Sequence, residues 1–344
     1  MAKKLTEVCP GIYRLDLESG SKNIAQINIY LIPGRDPETD RSLMIDVGFY
    51  DRQCLEDLEW AMEELGLSFD KLDLFLTHKH FDHCGQACVL EARGTRIYMD
   101  PAEERHQYDC LHYDRHLHDD QEQVLRYAGI TQARTPKLWA LFTAAVEEDL
   151  LHELNISRFR YLPVEPGQVF CYGPYVLEAV PLPGHTFGQM GLADREHKLF
   201  FTADQVIKKI VPIVATSFKD EHLLTKYFRS LESLKTEYGD FCLFPAHNTM
   251  LEGEEIVATI DRIAFAYLEK IQIIEQLVRH GRRPMTVVQI AMLAYGVQEI
   301  PKDQEQLMFL KMVTSKTFSC LEYLRDEDFV FRTERDGVLY WEAG

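Results

Sequence analysis

The stretch LFLTHKHFDHCG, residues 74–85, restricts what this chain can fold into more than any other part of the sequence. It places His78, His80, Asp82 and His83 directly after an apolar run that predicts a β-strand. His78 and His80 are two residues apart, so at the end of a strand their side chains project to the same side and can share one metal ion. Asp82 and His83 follow at the turn into a helix and can serve a second ion, which two-metal hydrolytic sites hold roughly 3.5–4 Å from the first. Imidazole with carboxylate suits zinc or iron better than calcium or magnesium.

Short apolar runs on both sides of this motif predict strands that alternate with helices. INIYLIPG, LMIDVG and LDLFLTH have the composition of strands, and CLEDLEWAMEELGL has the spacing of an amphipathic helix. Strands return in YVLEAVPLPG, KLFFTADQVI and DFCLFPAH, and each of these runs leads to a polar residue that can do chemistry. We therefore expect an α/β fold with its functional groups at strand ends.

Residues from about 101 to 157 interrupt this pattern with helical spacing, in QEQVLRYAGI and PKLWALFTAAVEEDLLHEL. We interpret this block as a helical insertion that forms a lid over the histidine motif. One of its faces contains Trp139, Phe142 and Val146, and these side chains pack either across the mouth of the site or on the outer shell of the domain. His112 and His116 have the spacing of a helical metal pair, but a solvated histidine-rich face is the stronger interpretation.

The charge and the cysteine content indicate which partners and which cellular compartment to expect. The net charge of −18 would repel nucleic acid and acidic membranes unless a local basic patch exists, and no long basic run is visible. The eight cysteines lack paired metal-ligand spacing, so reduced thiols are expected. The sequence shows neither a secretory segment nor an apolar run of membrane-spanning length, which predicts a cytoplasmic protein.

The H-x-H-x-D-H pattern resembles the signature of the metallo-β-lactamase superfamily, and its other motifs follow in order. They are LMIDVG with Asp46, LPGHTFGQMGL with His185, LFFTADQV with Asp204 and LFPAHN with His247. The resemblance covers roughly residues 8–255 and implies the αββα sandwich of that superfamily, here with a helical insertion.

The resemblance also implies two metal ions, for which zinc is expected and iron or manganese are the alternatives. The implied ligands are His78, His80 and His185 for the first ion, Asp82, His83 and His247 for the second, and Asp204 as the bridge between them. Asp46 would orient ligands from behind, although a turn-capping aspartate is the alternative. Asp82 and Asp204 would then orient a metal-bridging hydroxide that attacks the substrate.

The C-terminal part of the chain resembles the winged-helix-like module of the lactamase-β-2-like branch. Its elements are a long helix that ends at Gly281, two further helices, and a hairpin that turns at Asp336-Gly337. We predict a catalytic domain over residues 1–257 and this module over 258–344. Acidic residues slightly outnumber basic ones in the module, so packing against the catalytic domain or a second subunit is favoured over DNA binding.

The expected function is hydrolysis of a small ester, thioester or lactone. Lys208 and Lys209 are candidate contacts for an anionic substrate group, and Trp139 and Phe142 are candidates for the pocket wall. A phosphodiesterase or endoribonuclease is one alternative, and an iron redox enzyme of the same fold is another. Flavodiiron relatives have glutamate where His80 stands, which favours zinc, whereas persulfide dioxygenases are not excluded. The complete set of seven implied ligands disfavours a non-catalytic or DNA-binding regulator, and a homodimer remains open.

Overall fold

The computed structural model describes residues 5–18, 26–36, 40–106, 115–144 and 159–344. Within these residues it has the following strands: β1 (Leu5–Cys9), β2 (Ile12–Glu18), β3 (Gln26–Ile32), β4 (Ser42–Ile45), β5 (Leu72–Phe75), β6 (Arg96–Met99), β7 (Leu162–Pro163), β8 (Val169–Tyr172), β9 (Tyr175–Pro181), β10 (Met190–Asp194), β11 (Leu199–Ala203), β12 (Cys242–Pro245), β13 (Leu251–Glu252), β14 (Met285–Thr286), β15 (Val330–Arg335) and β16 (Val338–Ala343). The helices are α1 (Arg52–Glu64), α2 (Phe81–Cys84), α3 (Ala87–Ala92), α4 (Glu103–His106), α5 (Arg115–Ala128), α6 (Leu223–Glu237), α7 (Glu254–His280), α8 (Val287–Ala294) and α9 (Gln304–Asp326). A further helical stretch covers residues 136–144.

Two large sheets form the centre of the molecule. Among the described residues, β1 to β7 lie side by side in sequence order, antiparallel from β1 to β4 and parallel from β4 to β7. The second sheet has the order β13-β12-β11-β10-β9-β8, with a parallel pair at β11 and β12. Parallel neighbours end at the same edge of a sheet, so the loops after β4, β5, β11 and β12 can meet there.

Three hydrophobic clusters arrange these sheets as an αββα sandwich. Strand β11 illustrates the arrangement, because successive residues of a strand point to opposite faces. Phe201 packs between the two sheets with Phe75 and Leu177, whereas Phe200 faces the helices with Tyr238. A third cluster packs α1 and α3 on the outer face of the first sheet. The mixed α/β fold class that the sequence predicts is confirmed.

Local sequence signals explain where several elements begin. Asp51 accepts a hydrogen bond from the backbone N–H of Cys54 at the start of α1, and Asp303 does the same for Gln306 at the start of α9. Asp336 and Gly337 both have positive φ, 54° and 74°, as the turn of the predicted hairpin between β15 and β16 requires. The strands and helices predicted on both sides of the histidine motif are confirmed.

The C-terminal elements share a core with the second sheet. Helices α7, α8 and α9 and the sheet β14-β16-β15 follow in the predicted order. The predicted domain boundary at residue 257 falls inside α7, and Ile256 and Ile260 of that helix belong to the same cluster as Leu243 of the second sheet. The identity of the module as a winged helix stays a prediction.

The described part of the insertion is helical, as predicted, and packs on these C-terminal helices. Leu125 of α5 and Leu138 and Phe142 of the helical stretch 136–144 lie in the cluster that α7, α8 and α9 line. Trp139 packs against the same cluster and is partly buried. Its role as a lid stays a prediction.

Candidate metal centre

Loops at one edge of the sandwich bring the predicted ligands together. His78 and His80 follow β5, and Asp82 and His83 belong to α2, the short helix that comes next. The second sheet supplies the other three ligands, His185 after β9, Asp204 after β11 and His247 after β12. All seven side chains are buried except that of His80, which is half-buried.

The first group consists of three histidines. Nδ1 of His80 lies 3.0 Å from Nε2 of His78 and 3.0 Å from Nε2 of His185. Burial and the neighbouring imidazoles hold the pKa of His78 well below its usual range and lower the pKa of His80 to about 3. Burial also lowers the pKa of His185. Three neutral imidazoles therefore converge, which is the form in which histidine binds a metal.

Hydrogen bonds on the far side of the rings fix which nitrogen has the lone pair. Nδ1 of His185 donates to the carbonyl oxygen of Ile213 at 2.7 Å. The Thr77 hydroxyl donates to the Asp46 carboxylate at 2.9 Å, so it can accept the proton on Nδ1 of His78, 3.1 Å away. Both rings then direct the Nε2 lone pair at Nδ1 of His80, whose single proton could satisfy only one of them. A cation is the partner that satisfies all three.

The second group consists of Asp82, His83 and His247. Oδ2 of Asp82 lies 3.3 Å from Nε2 of His247 and 3.7 Å from Nε2 of His83. Nδ1 of His83 donates to Asp46 at 2.7 Å, and Nδ1 of His247 donates to the carbonyl oxygen of Gln26 at 2.6 Å. Each imidazole again presents Nε2 to the centre of the group.

Asp204 lies between the two groups. Its Oδ2 is 3.5 Å from Nε2 of His185 and 3.6 Å from Nε2 of His83, and its Oδ1 is 3.4 Å from Nε2 of His247. One carboxylate therefore reaches histidines of both groups, and candidate ligand atoms of His78, His83 and Asp204 also lie within 4.8 Å of one another. The assignment of these seven residues to two ions stays a prediction.

Electrostatics and unmet hydrogen bonds show that the donor set fits a metal. Within the described residues, Nε2 of His83 and Oδ1 of Asp204 are buried and have no hydrogen-bond partner. Burial disfavours a charged imidazole, yet the nearby carboxylates outweigh it and raise the pKa of His83 well above its usual value and that of His247 to about 10. Burial would raise the pKa of Asp204, but His247 and His83 hold it well below its usual range. The carboxylates thus require positive charge at this position, which protons supply when no metal is bound.

Sequence reasoning predicted the seven candidate ligands that the structure brings together, and it missed most of the groups behind them. Thr77 directly precedes His78, but nothing local distinguishes it from an ordinary strand-end threonine. The carbonyl groups of Gln26 and Ile213 have no side-chain signature at all. Asp46 accepts hydrogen bonds from both Thr77 and His83, and its role in orienting the candidate ligands stays a prediction.

Strained backbone conformations occur at or next to residues of the candidate centre. Asp46, Ala203 and Asn248 all have positive φ, which is uncommon for residues other than glycine. Asp46 is itself a partner of the site, Ala203 precedes Asp204, and Asn248 follows His247. Asparagine tolerates the φ of 67° at Asn248 better than most residues other than glycine.

Among the candidate substrate residues, one lysine is paired, the other is exposed, and the two aromatic residues pack in or against a core cluster. Lys208 forms an ion pair with Glu255 at 2.8 Å, and Lys209 is exposed. Phe142 is only 3% exposed and Trp139 is partly buried. Val146 and the suggested pair of His112 and His116 fall outside the described residues or their described side chains.

Solved structures with the same fold are metallo-β-lactamase proteins. One from Thermus thermophilus, a metallo-β-lactamase family protein, has a TM-score of 0.76 and 19% identity, covering 98% of this chain and 100% of that one. A β-lactamase domain protein from Burkholderia ambifaria has a TM-score of 0.73 and 18% identity, covering 99% and 93%. A metallo-β-lactamase from Pseudomonas aeruginosa, in a mono-zinc form, has a TM-score of 0.50 and 14% identity, covering 77% and 96%.

For the first two structures the likeness covers 98% and 99% of this chain, so it extends into the C-terminal helices. The sequence itself matches no protein-family model and no curated protein. No helix among the described residues is long and apolar enough to cross a membrane. The chain has the metallo-β-lactamase fold.

Proposed function

We propose that this chain, with its metallo-β-lactamase fold, is a dinuclear zinc hydrolase that cleaves a small ester, thioester or lactone. His78, His80 and His185 would hold one ion, Asp82, His83 and His247 the other, and Asp204 would bridge them. Two zinc ions held there would act as Lewis acids on the substrate carbonyl and would supply hydroxide at neutral pH.

The observation that supports this function best is the position of Asp204. Its two oxygens reach histidines of both groups, at 3.4–3.6 Å, while Oδ1 has no hydrogen-bond partner within the described residues. A carboxylate shared in this way is expected when two cations lie side by side. A single structural metal would need four protein ligands and would leave the remaining groups without purpose.

The protein residues around the ligands keep the site ready for this chemistry. Hydrogen-bond acceptors keep the proton of three histidines on Nδ1. The acceptor is Thr77, held by Asp46, for His78, the carbonyl group of Ile213 for His185, and that of Gln26 for His247. Each Nε2 therefore stays available for a metal. Although burial would raise the pKa of the carboxyl groups of Asp82 and Asp204, the neighbouring histidines hold it below the usual range, so that their oxygens would accept hydrogen bonds and orient the nucleophile that bound metal would supply.

Apolar side chains next to the ligands favour a substrate with an apolar part. Phe81 directly follows His80 and is 39% exposed, and Ile213, whose carbonyl holds His185, is 37% exposed. Lys208 and Lys209 would serve an anionic substrate group, although Lys208 already pairs with Glu255. The acidic overall charge disfavours RNA as the substrate. We further propose a cytoplasmic location and leave a homodimer open.

Elemental analysis and a substrate panel test the proposal. We expect close to two zinc ions per chain after reconstitution, and turnover of one or more members of a panel of esters, thioesters and lactones. The same panel includes β-lactams, phosphodiesters and RNA. At most one ion per chain would contradict the dinuclear assignment, whereas iron with a ferric absorption band would indicate redox chemistry. Turnover of RNA or a phosphodiester alone would replace the proposed substrate class.

A further inference from the structure

A buried glutamate at the start of the insertion contacts both ligand loops of the three-histidine group. Glu103 belongs to α4 and is 1% exposed. Its Oε2 accepts a hydrogen bond from the backbone N–H of Lys79 at 2.9 Å. Its Oε1 accepts from the backbone N–H of Gly188 at 2.8 Å and from the hydroxyl of Thr186 at 2.6 Å.

These donors lie next to the predicted metal ligands. Lys79 separates His78 from His80, and Thr186 follows His185. The two loops come from different sheets and are about a hundred residues apart in the sequence, so no local interaction fixes their separation. The single carboxylate of Glu103 spans that separation, with one oxygen bound to each loop.

Close packing around Glu103 shows that the separation is tightly set. A Cβ atom at Gly188 would lie 2.9 Å from the backbone nitrogen of Glu103 and 3.1 Å from its Oε1. Only glycine therefore allows the loop to approach the carboxylate this closely. Burying a carboxylate is costly unless it is hydrogen-bonded, and here three donors converge on it.

We infer that Glu103 is a positioning residue for the metal centre, which sets the distance between the His78–His80 loop and His185. This inference rests on the proposed dinuclear centre. Nδ1 of His80 lies 3.0 Å from ring nitrogens of both partners, so a small shift of either loop would open the three-histidine group. Glu103 touches no ligand atom and no reacting atom, and it acts through the backbone of the two loops.

The variant Glu103→Gln tests the inference with little change in volume. A glutamine side chain has one acceptor oxygen, so its amide NH₂ must face a backbone N–H of one of the two loops. We expect zinc to bind about 10–100-fold more weakly, the range typical for the loss of a group that supports ligands from behind. Competition of the zinc-loaded protein with a chromophoric chelator measures this change directly, without any activity assay.

The variant Asp73→Asn is the matched control. Asp73 is also buried, at 2% exposure, and its carboxylate also accepts several hydrogen bonds, from Arg41, Arg96 and Tyr172. It lies near the start of β5, five residues before His78 and at the opposite end of the strand from the candidate ligands. We expect this variant to lower the melting temperature and to leave zinc affinity unchanged.

The outcomes separate the inference from the proposed function. Unchanged zinc affinity in Glu103→Gln, or an equal loss in Asp73→Asn, would overturn the positioning role while the dinuclear centre stands. Failure of the unsubstituted protein to bind zinc would overturn both. If Glu103→Gln does not fold, Thr186→Val removes one of the three hydrogen bonds, and a smaller loss of zinc affinity is then expected. No loss in that variant would count against the inference.

Discussion

The histidines of the candidate centre depend on partners that their own sequence neighbourhood does not contain. His185 donates to a carbonyl group 28 residues further along the chain, and His247 donates to one 221 residues before it. Only His78 uses an adjacent residue, Thr77, which Asp46 in turn holds. Because an imidazole can present either nitrogen, these distant partners decide which nitrogen faces the metal position.

Replacing Asp204 with alanine removes the only predicted ligand that reaches histidines of both groups. We expect Asp204→Ala to bind fewer than two zinc ions and to lose hydrolysis, with the fold retained because the three hydrophobic clusters lie elsewhere. Elemental analysis, circular dichroism and turnover on the identified substrate check these expectations.

Asp240→Ala provides a comparison for Asp204→Ala. Asp240 is an exposed carboxylate that pairs with Lys198, so its loss should change neither zinc content nor turnover. Substantial turnover by Asp204→Ala would show that the bridging assignment is wrong.

At the scale of elements, the described part of the insertion packs on the C-terminal helices, while its first helix contacts the loops of the candidate ligands. Leu125 and Phe142 belong to the cluster of α7, α8 and α9, whereas Glu103 binds the loops of Lys79 and Gly188. The described part of the insertion therefore connects the candidate centre to the C-terminal region. A change in this segment can alter both the site and the stability of the fold.

Trp139→Ala separates a lid from a structural shell. If this side chain lines the mouth of the site, the variant should change KM and substrate preference with a modest loss of stability. Kinetics on a series of substrates with longer apolar chains, together with thermal melts, measure both effects.

Leu138→Ala is the companion variant in the same helical stretch. Leu138 is 6% exposed within the core cluster, so truncation should cost about 2–5 kcal/mol of unfolding free energy and leave KM unchanged. If Trp139→Ala behaves in the same way, the lid proposal fails.

At the scale of the whole molecule, the C-terminal helices hold the segment that orients His185. The hydroxyl of Tyr267, in α7, donates to the carbonyl oxygen of Pro212 at 2.6 Å and accepts from the backbone N–H of Val214 at 2.9 Å. These two residues flank Ile213, whose carbonyl oxygen accepts from His185. Hydrogen bonds to one short segment, residues 212–214, therefore connect α7 to the candidate ligand His185.

Tyr267→Phe removes only the hydroxyl group, and with it both hydrogen bonds, while the volume of the side chain hardly changes. We call these two hydrogen bonds the Tyr267 clamp. Two buried backbone groups lose their partner, so we expect unfolding free energy to fall by about 1–3 kcal/mol and zinc to bind more weakly. Denaturant unfolding of the metal-free protein and chelator competition measure the two effects separately.

Tyr172→Phe is the control for this clamp. Its hydroxyl is also buried and donates to Asp73 at 2.7 Å, on the strand end that lies away from the ligands. This variant should lose stability without losing zinc affinity. Equal zinc affinity in both variants would show that the C-terminal helices do not position His185.

The sequence alone determined the parts of the protein that follow from short-range rules. Alternation and apolar runs located the strands, the Asp336-Gly337 pair located the hairpin, and H-x-H-x-D-H located four candidate ligands within six residues. The resemblance then added His185, Asp204 and His247, which follow later in the sequence. Each of these signals lies within a few residues, because strand direction and turn chemistry are local properties of the chain.

Only the tertiary structure decided how the centre is held. In the sequence, nothing distinguishes Glu103 from the other acidic residues of the helical insertion. The carbonyl groups of Gln26 and Ile213 belong to the backbone, so no residue type indicates their role. Packing of the two sheets brings them to the candidate ligands, and packing also places α7, α8 and α9 in one hydrophobic cluster with the second sheet. Contacts between distant segments depend on the summed burial of many residues, so no single stretch of sequence contains them.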